Sequence, residues 1–399
     1  MKNSKNYDKG QDYDPTKDET FDSVFEDFAR LRSKCPVAHS NEFDGFWALS
    51  KYEDVKSVLD QPIAFTTMYK NVVPVMSLTS RRPPLHLDPP EHTPYRRALD
   101  RVLSKTRVNS MQPFIRESAA RLMSELVAKG EGDLVSEYSR RLPVEVFGEW
   151  FSLNVDQINV LQATSQAYVD AWEAADLKGV QAAGMNLTRM AEDLVTQRQK
   201  EPLDIEKDPV SSLLETRYEG KPFPSEKIVA CVRQILVVGL VAPPIVIGSI
   251  AVHLSRDTTL QQKLRTEPDL IPAAVEEFLR LYTPYRGFAR TSRETVTIGG
   301  KEITPDEPIA LLYASANRDE DVFENPDEFQ LHRPNIAQHL AFGRGPHNCA
   351  GRLLAISELS IAVEELLKRT QGFEVCGTIK MSGMPEVGPI SVPMIFVSA

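Results

Sequence analysis

The apolar run QILVVGLVAPPIVIGSIAVHL, at residues Gln234–Leu254, constrains the fold of this chain more than any other segment. A run of about 20 apolar residues is long enough to span a membrane or to form a helix buried on all sides in a globular core. Pro243 and Pro244 lie at its centre. Each removes a backbone donor, which costs about 3 kcal/mol or more in a helix interior. The segment therefore either is not helical at this point or requires a break in the helix.

The flanks of this run favour a buried helix over a membrane span. Polar amphipathic segments lie on both sides, and no basic cluster marks one side as cytoplasmic. The chain has 399 residues, of which 42% are hydrophobic, so it has ample material for a core. Its first residues are polar and acidic, without the apolar stretch of a secretory signal. We therefore expect a cytoplasmic protein that makes no contact with a membrane.

Charge and cysteine spacing argue against several other classes of protein. The formal net charge of −10 is not typical of a general nucleic-acid-binding protein. The cysteines, Cys35, Cys231, Cys349 and Cys376, are widely separated and form no CxxC pair. This spacing indicates neither a zinc site nor a disulfide framework, and a reduced protein is expected.

Helical periodicity dominates the chain, and strands are predicted mainly near its end. Ser50 is the expected N-cap of a helix that Pro62 ends. The stretch ETVTIGGKEITPDEPIALLYASA predicts two short strands around a Gly-Gly turn, and a second pair is predicted near the C-terminus. No Gly/Ser-rich linker or repeat divides the chain. The pattern predicts one mainly α domain with small β-sheets at residues 22–399, after a polar segment at residues 1–21.

One cysteine lies in a glycine-rich loop that leads into an amphipathic helix. The loop, FGRGPHNCAG, runs from Phe342 to Gly351 and contains Cys349. A thiolate at a helix N-terminus is stabilised by the helix dipole and by free backbone N–H groups. The glycines of the loop allow the backbone to approach a flat ligand closely. The alternative is a small buried cysteine in a turn, which is the usual environment of a lone cysteine.

The pattern Phe342-Gly-x-Gly-x-x-x-Cys349-x-Gly351 resembles the cysteine-ligand loop of the cytochrome P450 haem-thiolate enzymes. The resemblance extends from about residue 22 to the C-terminus. It implies a single triangular haem domain, with haem b held between the apolar helix and the cysteine loop. It also implies that Cys349 is the axial ligand of the iron, and that Phe342 and Gly343 contact the haem. The thiolate would donate electron density that favours O–O cleavage.

A second motif of the family occurs in the expected order. Glu277 and Arg280, in the sequence EFLR, lie at i and i+3 on one helix face and can form an ion pair. In the family a second arginine binds this glutamate, and Arg333 matches its position. The resemblance therefore implies a buried charge network that supports the cysteine loop.

The haem propionate contacts of the family also have counterparts here. His92 and Arg96 lie four residues apart, on one face of a predicted helix. Arg290 and His347 match further propionate contacts. Cationic and donor groups of this kind suit two carboxylates at a partly buried edge of the haem.

The apolar run matches the family's haem-crossing helix but departs from its motif. The family's Gly-x-acid-Thr relays protons during dioxygen activation, whereas here Gly239 is followed by Val241 and Ala242, which cannot donate a proton. Pro243 and Pro244 cannot bond to carbonyls four residues earlier, and we hypothesise that these freed carbonyls anchor ordered water. Gly239, Val241, Ala242 and Pro243 are therefore the predicted catalytic segment. The proton source is left open between a water chain, a substrate hydroxyl or carboxyl group, and peroxide in place of dioxygen.

The segments that contact substrates in the family are mostly apolar in this chain. The predicted lining residues are Phe65, Met68, Val238, Ala242, Ile245 and Phe288. They indicate a small apolar ligand in a hydrophobic pocket. Tyr69, Tyr285 and Arg286 could orient a hydroxyl or carboxylate group. The pattern does not distinguish a terpenoid, an aromatic ether or acid, and a fatty acid.

The resemblance implies a monooxygenase that hydroxylates or O-dealkylates a small apolar compound with dioxygen and two electrons. Because the chain has no flavin or iron–sulfur motif, the electrons are expected from a separate partner. We predict that an acidic ferredoxin docks on a basic patch on the cysteine side. This patch comprises Arg97, Arg101, Lys105 and Arg107 of the His92 helix, with Arg344 and Arg352. An ordinary solvated helix face is the alternative for these charges.

Two other functions remain open at this point. Val241 and Ala242 would suit a haem enzyme outside ordinary monooxygenation, such as a peroxygenase or an isomerase. A catalytically silent haem domain that acts as a binding module is the third possibility. The presence of Cys349 and of the residues matched to the propionates weakens that last alternative, because the whole iron site is preserved.

Overall fold

The computed structural model describes residues 11–75, 81–174 and 176–399, without the side chains of Glu173 and Val238. Helices dominate this part of the chain, as predicted. They are α1 (Ser23–Lys34), α2 (Tyr52–Leu59), α3 (His92–Val102), α4 (Lys105–Val127), α5 (Arg141–Trp150), α6 (Val155–Glu173), α7 (Leu177–Lys200), α8 (Pro209–Glu215), α9 (Ser225–Arg256), α10 (Thr258–Thr266), α11 (Ile271–Leu281), α12 (Tyr313–Ala316) and α13 (Arg352–Arg369). A π-helical turn at Val135–Ser139 joins the start of α5.

The strands form small sheets at the periphery of the helices. They are β1 (Val37–Ser40), β2 (Phe46–Leu49), β3 (Phe65–Thr66), β4 (Glu131–Asp133), β5 (Arg217–Tyr218), β6 (Lys221–Pro222), β7 (Ala289–Ser292), β8 (Val296–Ile298), β9 (Lys301–Ile303), β10 (Pro308–Leu311), β11 (Thr370–Val375), β12 (Lys380–Met381), β13 (Pro389–Ser391) and β14 (Pro393–Ser398). The largest sheet has the order β1-β2-β10-β7-β3, with β2 and β10 parallel and its other neighbours antiparallel. A second sheet has the order β11-β14-β4.

The predicted Gly-Gly hairpin is present, and the two strands predicted near the C-terminus both form, although they do not pair with each other. Gly299 and Gly300 join β8 to β9 with φ angles of 54° and 74°, as a two-residue hairpin turn requires. β13 and β14 both form, yet β13 pairs with β12, whereas β14 pairs with β11 and β4. Because one residue separates the two strands, they continue in one direction into different sheets and cannot fold back on each other.

The apolar run lies within α9, which continues from Ser225 to Arg256 through both prolines. The prediction that the two prolines break the helix is therefore wrong, because the helical secondary structure continues through them. The helix is long and apolar enough to span a membrane, but 82% of its most apolar window is buried inside the protein. It packs against α5, α7 and α13. Burial on several sides offsets the cost of about 3 kcal/mol for each proline and keeps the segment helical.

The N-terminal residues that the structure describes pack onto the domain. The Tyr13 ring lies against Phe46, with 6.2 Å between ring centroids, and is 1% exposed. Arg286 donates to both carboxylate oxygens of Glu19 at 2.7 Å. Arg286 also donates to the Glu386 carbonyl at 3.0 Å, so its guanidinium group is occupied by the protein. It cannot orient a substrate, contrary to the prediction from the sequence.

The start of α2 also differs from the prediction. Lys51 occupies the N-cap position, without a side-chain capping bond. Ser50 instead donates from its hydroxyl group to the Pro36 carbonyl at 3.1 Å. The backbone N–H of Tyr52, at the first turn of the helix, donates to the Asp319 carboxylate at 2.7 Å. A distant acid thus replaces the local cap, which no local pattern could reveal.

Candidate active site

A tight loop holds Cys349 just before α13. The backbone N–H of Cys349 donates to the Phe342 carbonyl at 2.8 Å. Gly343 and Gly345 have φ angles of 66° and 71°, in the region that favours glycine. A Cβ atom on Gly345 would lie 2.9 Å from the backbone oxygen of Leu59. These glycines are therefore required by the closed shape of the loop itself.

The surroundings of Cys349 act on its thiol in both directions. The Cys349 side chain is accessible to solvent. The surrounding protein atoms nevertheless desolvate the sulfur, and this burial raises the pKa of the thiol. A hydrogen bond from the Gly351 N–H and the positive charges of Arg96 and Arg352 lower that pKa. A coordinated metal ion displaces the thiol proton outright. The donors around the sulfur suit a thiolate ligand.

The four residues matched to haem propionates lie together. The rings of His92 and His347 are 4.5 Å apart, and the Nε2 atom of each is buried without a hydrogen-bond partner in the described part of the chain. Arg96 donates to the carbonyls of Pro346, at 3.1 Å, and Asn348. Burial, followed by the charges of Arg290, His92 and Arg96, lowers the pKa of His347 to about 3. Buried donors without partners beside two arginines fit the carboxylates of a haem.

A buried ion network lies behind the cysteine loop. Arg280 donates from Nε and Nη2 to the two carboxylate oxygens of Glu277, each at 2.8 Å. The Nε atom of Arg333 donates to Glu277 at 3.0 Å. The side chains of all three residues are 1% exposed or less. One carboxylate is thus shared by two guanidinium groups inside the core.

Hydrogen bonds connect this network to the loop. Arg280 donates from Nη1 to the Asn317 carbonyl at 2.9 Å, and the Asn317 side chain accepts the Leu340 N–H at 2.6 Å. The Leu340 carbonyl then accepts the Gly343 N–H at 2.8 Å. Three hydrogen bonds therefore connect Arg280 of α11 to Gly343, the first glycine of the cysteine loop, so the network helps to position the loop.

The central turn of α9 has no side chain that can carry a proton. Val241 lines the cavity described below, Ala242 is half-buried and Pro243 is buried. A Cβ atom on Gly239 would overlap the ring of Phe147 in α5. Close packing between the two helices therefore explains this glycine without a catalytic role.

A cavity of about 410 Å³ lies between α6, α7 and α9. Its apolar wall includes Val237 and Val241 of α9, Trp172 of α6, and Phe288. Of the predicted lining residues, Phe288 contributes to this cavity. Ile245 lines a smaller adjoining cavity that shares Val241 with the first.

The other predicted lining residues lie elsewhere or are not described. Phe65 is 5% exposed, in the core of the five-stranded sheet, where it pairs with Ser292 of β7. Met68 and Ala242 do not line the 410 Å³ cavity as far as the structure describes it. Val238 has no described side chain. For the residues proposed to orient a polar group, Tyr285 lines the cavity, whereas Tyr69 is exposed.

Several ionisable residues of the cavity wall were not identified from the sequence, among them Arg82, Arg233 and Glu386. Arg233 carried a signal, because it immediately precedes the apolar run and lies on the side of α9 that also presents Val237 and Val241. Arg82 and Glu386 lie in loops without periodicity. Only the tertiary structure brings those two side chains to the cavity.

The predicted basic patch is smaller than the sequence indicated. Lys105 and Arg107 belong to α4 and not to the His92 helix. Arg107 is 6% exposed and donates to the Ile205 carbonyl and to Ser212, so it is part of the core. Three other arginines of the predicted patch form ion pairs with acidic residues: Arg101 with Glu206, Arg344 with Asp60, and Arg352 with Glu276. Arg97 and Lys105 are exposed and have no acidic partner among the described residues.

Comparisons with known proteins show the family to which the chain belongs. The family model "Cytochrome P450" matches residues 147–376. Mycinamicin IV hydroxylase/epoxidase of Micromonospora griseorubida is 30% identical over 379 residues, which cover 88% of this chain and 89% of the relative. Linalool 8-monooxygenase of Pseudomonas putida is 30% identical over 389 residues, covering 92% and 95%. The structure of cytochrome P450 CYP109Q5 from Chondromyces apiculatus has a TM-score of 0.87 at 24% identity, covering 97% and 98%, which shows the fold. With its cysteine loop and glutamate–arginine network, the chain belongs to the cytochrome P450 family of haem-thiolate monooxygenases.

Proposed function

We propose that this monooxygenase hydroxylates or O-dealkylates a mostly apolar compound of the size of a terpenoid or a substituted aromatic. The cavity of about 410 Å³ carries this proposal, because it reaches Val241 on α9 and has an apolar wall formed by Val237, Trp172 and Phe288. Pockets of this volume accommodate small organic ligands. The relatives named for linalool and mycinamicin IV support oxidation of an organic compound.

The residues of this chain would hold the haem and set its properties. When bound, haem supplies the reductive activation of dioxygen at an iron that a thiolate ligand makes electron-rich. Cys349 would provide that ligand, and Phe342 and Gly343 lie in its loop. His92, Arg96, Arg290 and His347 would bind the propionates through buried donors.

Glu386 is our proposed source of the proton that Val241 and Ala242 cannot supply. It lines both the large cavity and the smaller adjoining cavity, each of which Val241 also lines. Burial raises the pKa of Glu386 to about 8, so its carboxyl group holds a proton at neutral pH. An acid whose pKa lies near the operating pH is suited to proton donation, here through water along the cavity.

The proton role is tested with Glu386→Gln and a matched control. Glu192→Gln removes an exposed carboxyl group on the rim of the same cavity. We expect Glu386→Gln to lower the product formed per NADH consumed by about a hundredfold, the lower end of the usual contribution of a general acid. Glu192→Gln should leave this ratio unchanged. Equal coupling in Glu386→Gln and the wild type would refute the role of Glu386.

A peroxide-driven reaction is the second candidate, favoured by Val241 and Ala242 on the haem-crossing helix. The experiment supplies the holoenzyme either with hydrogen peroxide or with NADH, a ferredoxin and its reductase under labelled dioxygen. The monooxygenase proposal expects label in the product and faster turnover with the reductase system. Faster turnover with peroxide would instead favour a peroxygenase.

We further propose that the electrons come from an acidic ferredoxin in the cytoplasm. Arg97 and Lys105 would contribute the attraction, because the other exposed arginines of the patch are paired with acids. Arg97→Glu with Lys105→Glu should raise the KM for the ferredoxin severalfold at low salt. Lys178→Glu, an exposed change on α7, is the control. An unchanged KM in the double variant would exclude this docking surface.

A further inference from the structure

Two arginines line the substrate cavity at a distance from the centre of α9. Arg82 lies in the loop before α3, and Arg233 lies on α9. Arg233 precedes Val241 by eight residues, which corresponds to about 12 Å along a helix that rises 1.5 Å per residue. The apolar wall formed by Val237, Trp172 and Val241 lies in the same cavity. The cavity is therefore cationic at one end and apolar towards the middle of α9.

Neither guanidinium group has an acidic partner in the described part of the protein. The Nη1 atom of Arg233 is buried without a hydrogen-bond partner. The Nη2 atom of Arg82 lies 3.4 Å from Nε2 of His86. Burial, followed by the charges of Arg82 and Arg233, lowers the pKa of His86 to about 3, so this imidazole is neutral. The two positive charges thus have no ion pair within the wall.

The carboxyl groups of the cavity do not neutralise these arginines. Glu192 and Glu226 are exposed at the rim, and neither forms an ion pair with Arg82 or Arg233. Glu386 is buried, and its raised pKa keeps it mostly uncharged at neutral pH. Because Arg81 and Lys227 also line the cavity, four cationic side chains stand against the two rim carboxylates, and the cavity wall presents net positive charge to a ligand.

Two nearby guanidinium groups without counter-charges are costly in a folded protein. Burial, followed by the positive charge of Arg233, lowers the pKa of Arg82 to about 9. Burial also lowers the pKa of Arg233. A partly buried charge is unfavourable unless it is paired and hydrogen-bonded. Perturbed charges in a cavity are characteristic of binding sites, because the ligand can supply the missing partner.

We propose that Arg82 and Arg233 bind the carboxylate of an elongated apolar acid, whose chain extends along α9 to Val241. This assignment rests on the monooxygenase function proposed above. Guanidinium groups bind carboxylates through paired N–H donors, which gives both affinity and orientation. The distance of about 12 Å along α9 places the oxidised carbon well away from the carboxylate. Fatty acids and extended aryl acids have this form.

The experiment compares acids with alcohols of equal length in the holoenzyme. Decanoic, dodecanoic and tetradecanoic acids and the matching primary alcohols are titrated, and Kd is measured from the spin-state shift of the haem band. We expect the best acid to bind at least tenfold more tightly than its alcohol. This is the lower end of the effect of a hydrogen bond to a charged group. Equal affinity of acid and alcohol, or no acid binding, would overturn the proposal.

The variants are Arg233→Met and Arg233→Lys, with Arg189→Met as the control. Arg189 is an exposed arginine of α7 that does not line the cavity. Arg233→Met should weaken acid binding by about ten- to hundredfold and leave alcohol binding within about twofold. Arg233→Lys should retain much of the preference for acids. A parallel loss of acid and alcohol binding would show that Arg233 has only a structural role.

Two further readouts separate this proposal from folding and from the function. Because Arg233→Met removes a charge without a partner, its Tm without ligand should equal or exceed that of the wild type; a fall of several degrees would contradict the absence of a partner. Product formation is measured separately. Tight, arginine-dependent acid binding without oxidation would sustain the carboxylate site and overturn the monooxygenase proposal. Oxidation of the alcohols without a preference for acids would sustain the monooxygenase proposal and overturn the carboxylate site.

Discussion

Glu277→Gln should be among the most destabilising single changes in this protein. Glu277 accepts two hydrogen bonds from Arg280 at 2.8 Å and one from Arg333 at 3.0 Å. The variant leaves two guanidinium groups inside the core, both no more than 1% exposed, facing a neutral amide. Removing one partner from a buried ion pair costs about 3–5 kcal/mol. This is a large part of the 5–15 kcal/mol that ordinarily separates folded from unfolded protein.

The loss can be followed as a change in Tm and in the environment of the iron. For a chain of 399 residues, an unfolding entropy of about 2.1 cal/mol/K per residue converts this cost into a Tm decrease of about 4–6 °C. Because Arg280 reaches Gly343 through Asn317 and Leu340, the variant should also loosen the cysteine loop. The ferrous–CO spectrum should then contain a larger fraction without the thiolate-type red shift.

Glu276→Gln is the matched control for that experiment. Glu276 is the neighbouring residue on α11, where it is 24% exposed and binds His339 and Arg352. Partly exposed pairs contribute about 0–1 kcal/mol, so its Tm should fall by little more than 1 °C. Equal Tm decreases in the two variants, or a Glu277→Gln protein within 1 °C of the wild type, would refute the argument from burial.

Three other variants test separate features. Gly239→Ala should destabilise the protein by about 1–3 kcal/mol in denaturant titrations, because the new Cβ overlaps Phe147, and Phe147→Leu in the same chain should recover part of the loss. Burial raises the pKa of Glu358 from 4.5 to about 8. Because the carboxyl group is then protonated in the folded protein but ionised in the unfolded one, the stability of the wild type should fall by up to about 5 kcal/mol as pH rises between these values. The Tm advantage of Glu358→Gln over the wild type should therefore grow from pH 5 to pH 8. An advantage that is constant with pH would contradict this. Ala242→Thr should change the product formed per NADH by less than about twofold if Glu386 and water already deliver the proton; a large gain would show that proton delivery is impaired in the native protein.

The parts of the site that a contiguous motif encodes were predictable from the sequence. The loop around Cys349, the i, i+3 pair of Glu277 and Arg280, and the helix that carries His92 and Arg96 depend on local spacing. Such spacing places side chains on one helix face or in one turn regardless of the rest of the chain. The glycines of the cysteine loop also have a geometric reason, because Gly343 and Gly345 adopt positive φ angles that favour glycine.

The features that depend on distant residues were not predictable. Arg107 appeared to be a surface charge, but residues near Ile205 and Ser212 bury it. Arg286 appeared to face a substrate, but Glu19 binds it from the other end of the chain. The continuity of α9 through Pro243 depends on packing energy from neighbouring helices, which exceeds a local penalty. In each case tertiary contacts override a preference visible in the local sequence.

The positions of the charged groups also bear on the source of the proton. A substrate carboxyl group was one of the open candidates. A carboxylate bound at Arg233 would lie about 12 Å along α9 from Val241, too far for direct transfer to the reacting centre. Glu386 shares two cavities with Val241 and holds its proton at neutral pH, so it can act whatever the end group of the substrate. We therefore expect an acid and its equal-length alcohol, each at saturation, to be oxidised with the same product yield per NADH, and Glu386→Gln to lower both yields equally. A yield that is high only for the acid would mean that the substrate carboxyl group itself delivers the proton, and that it lies much nearer to Val241 than Arg233 does.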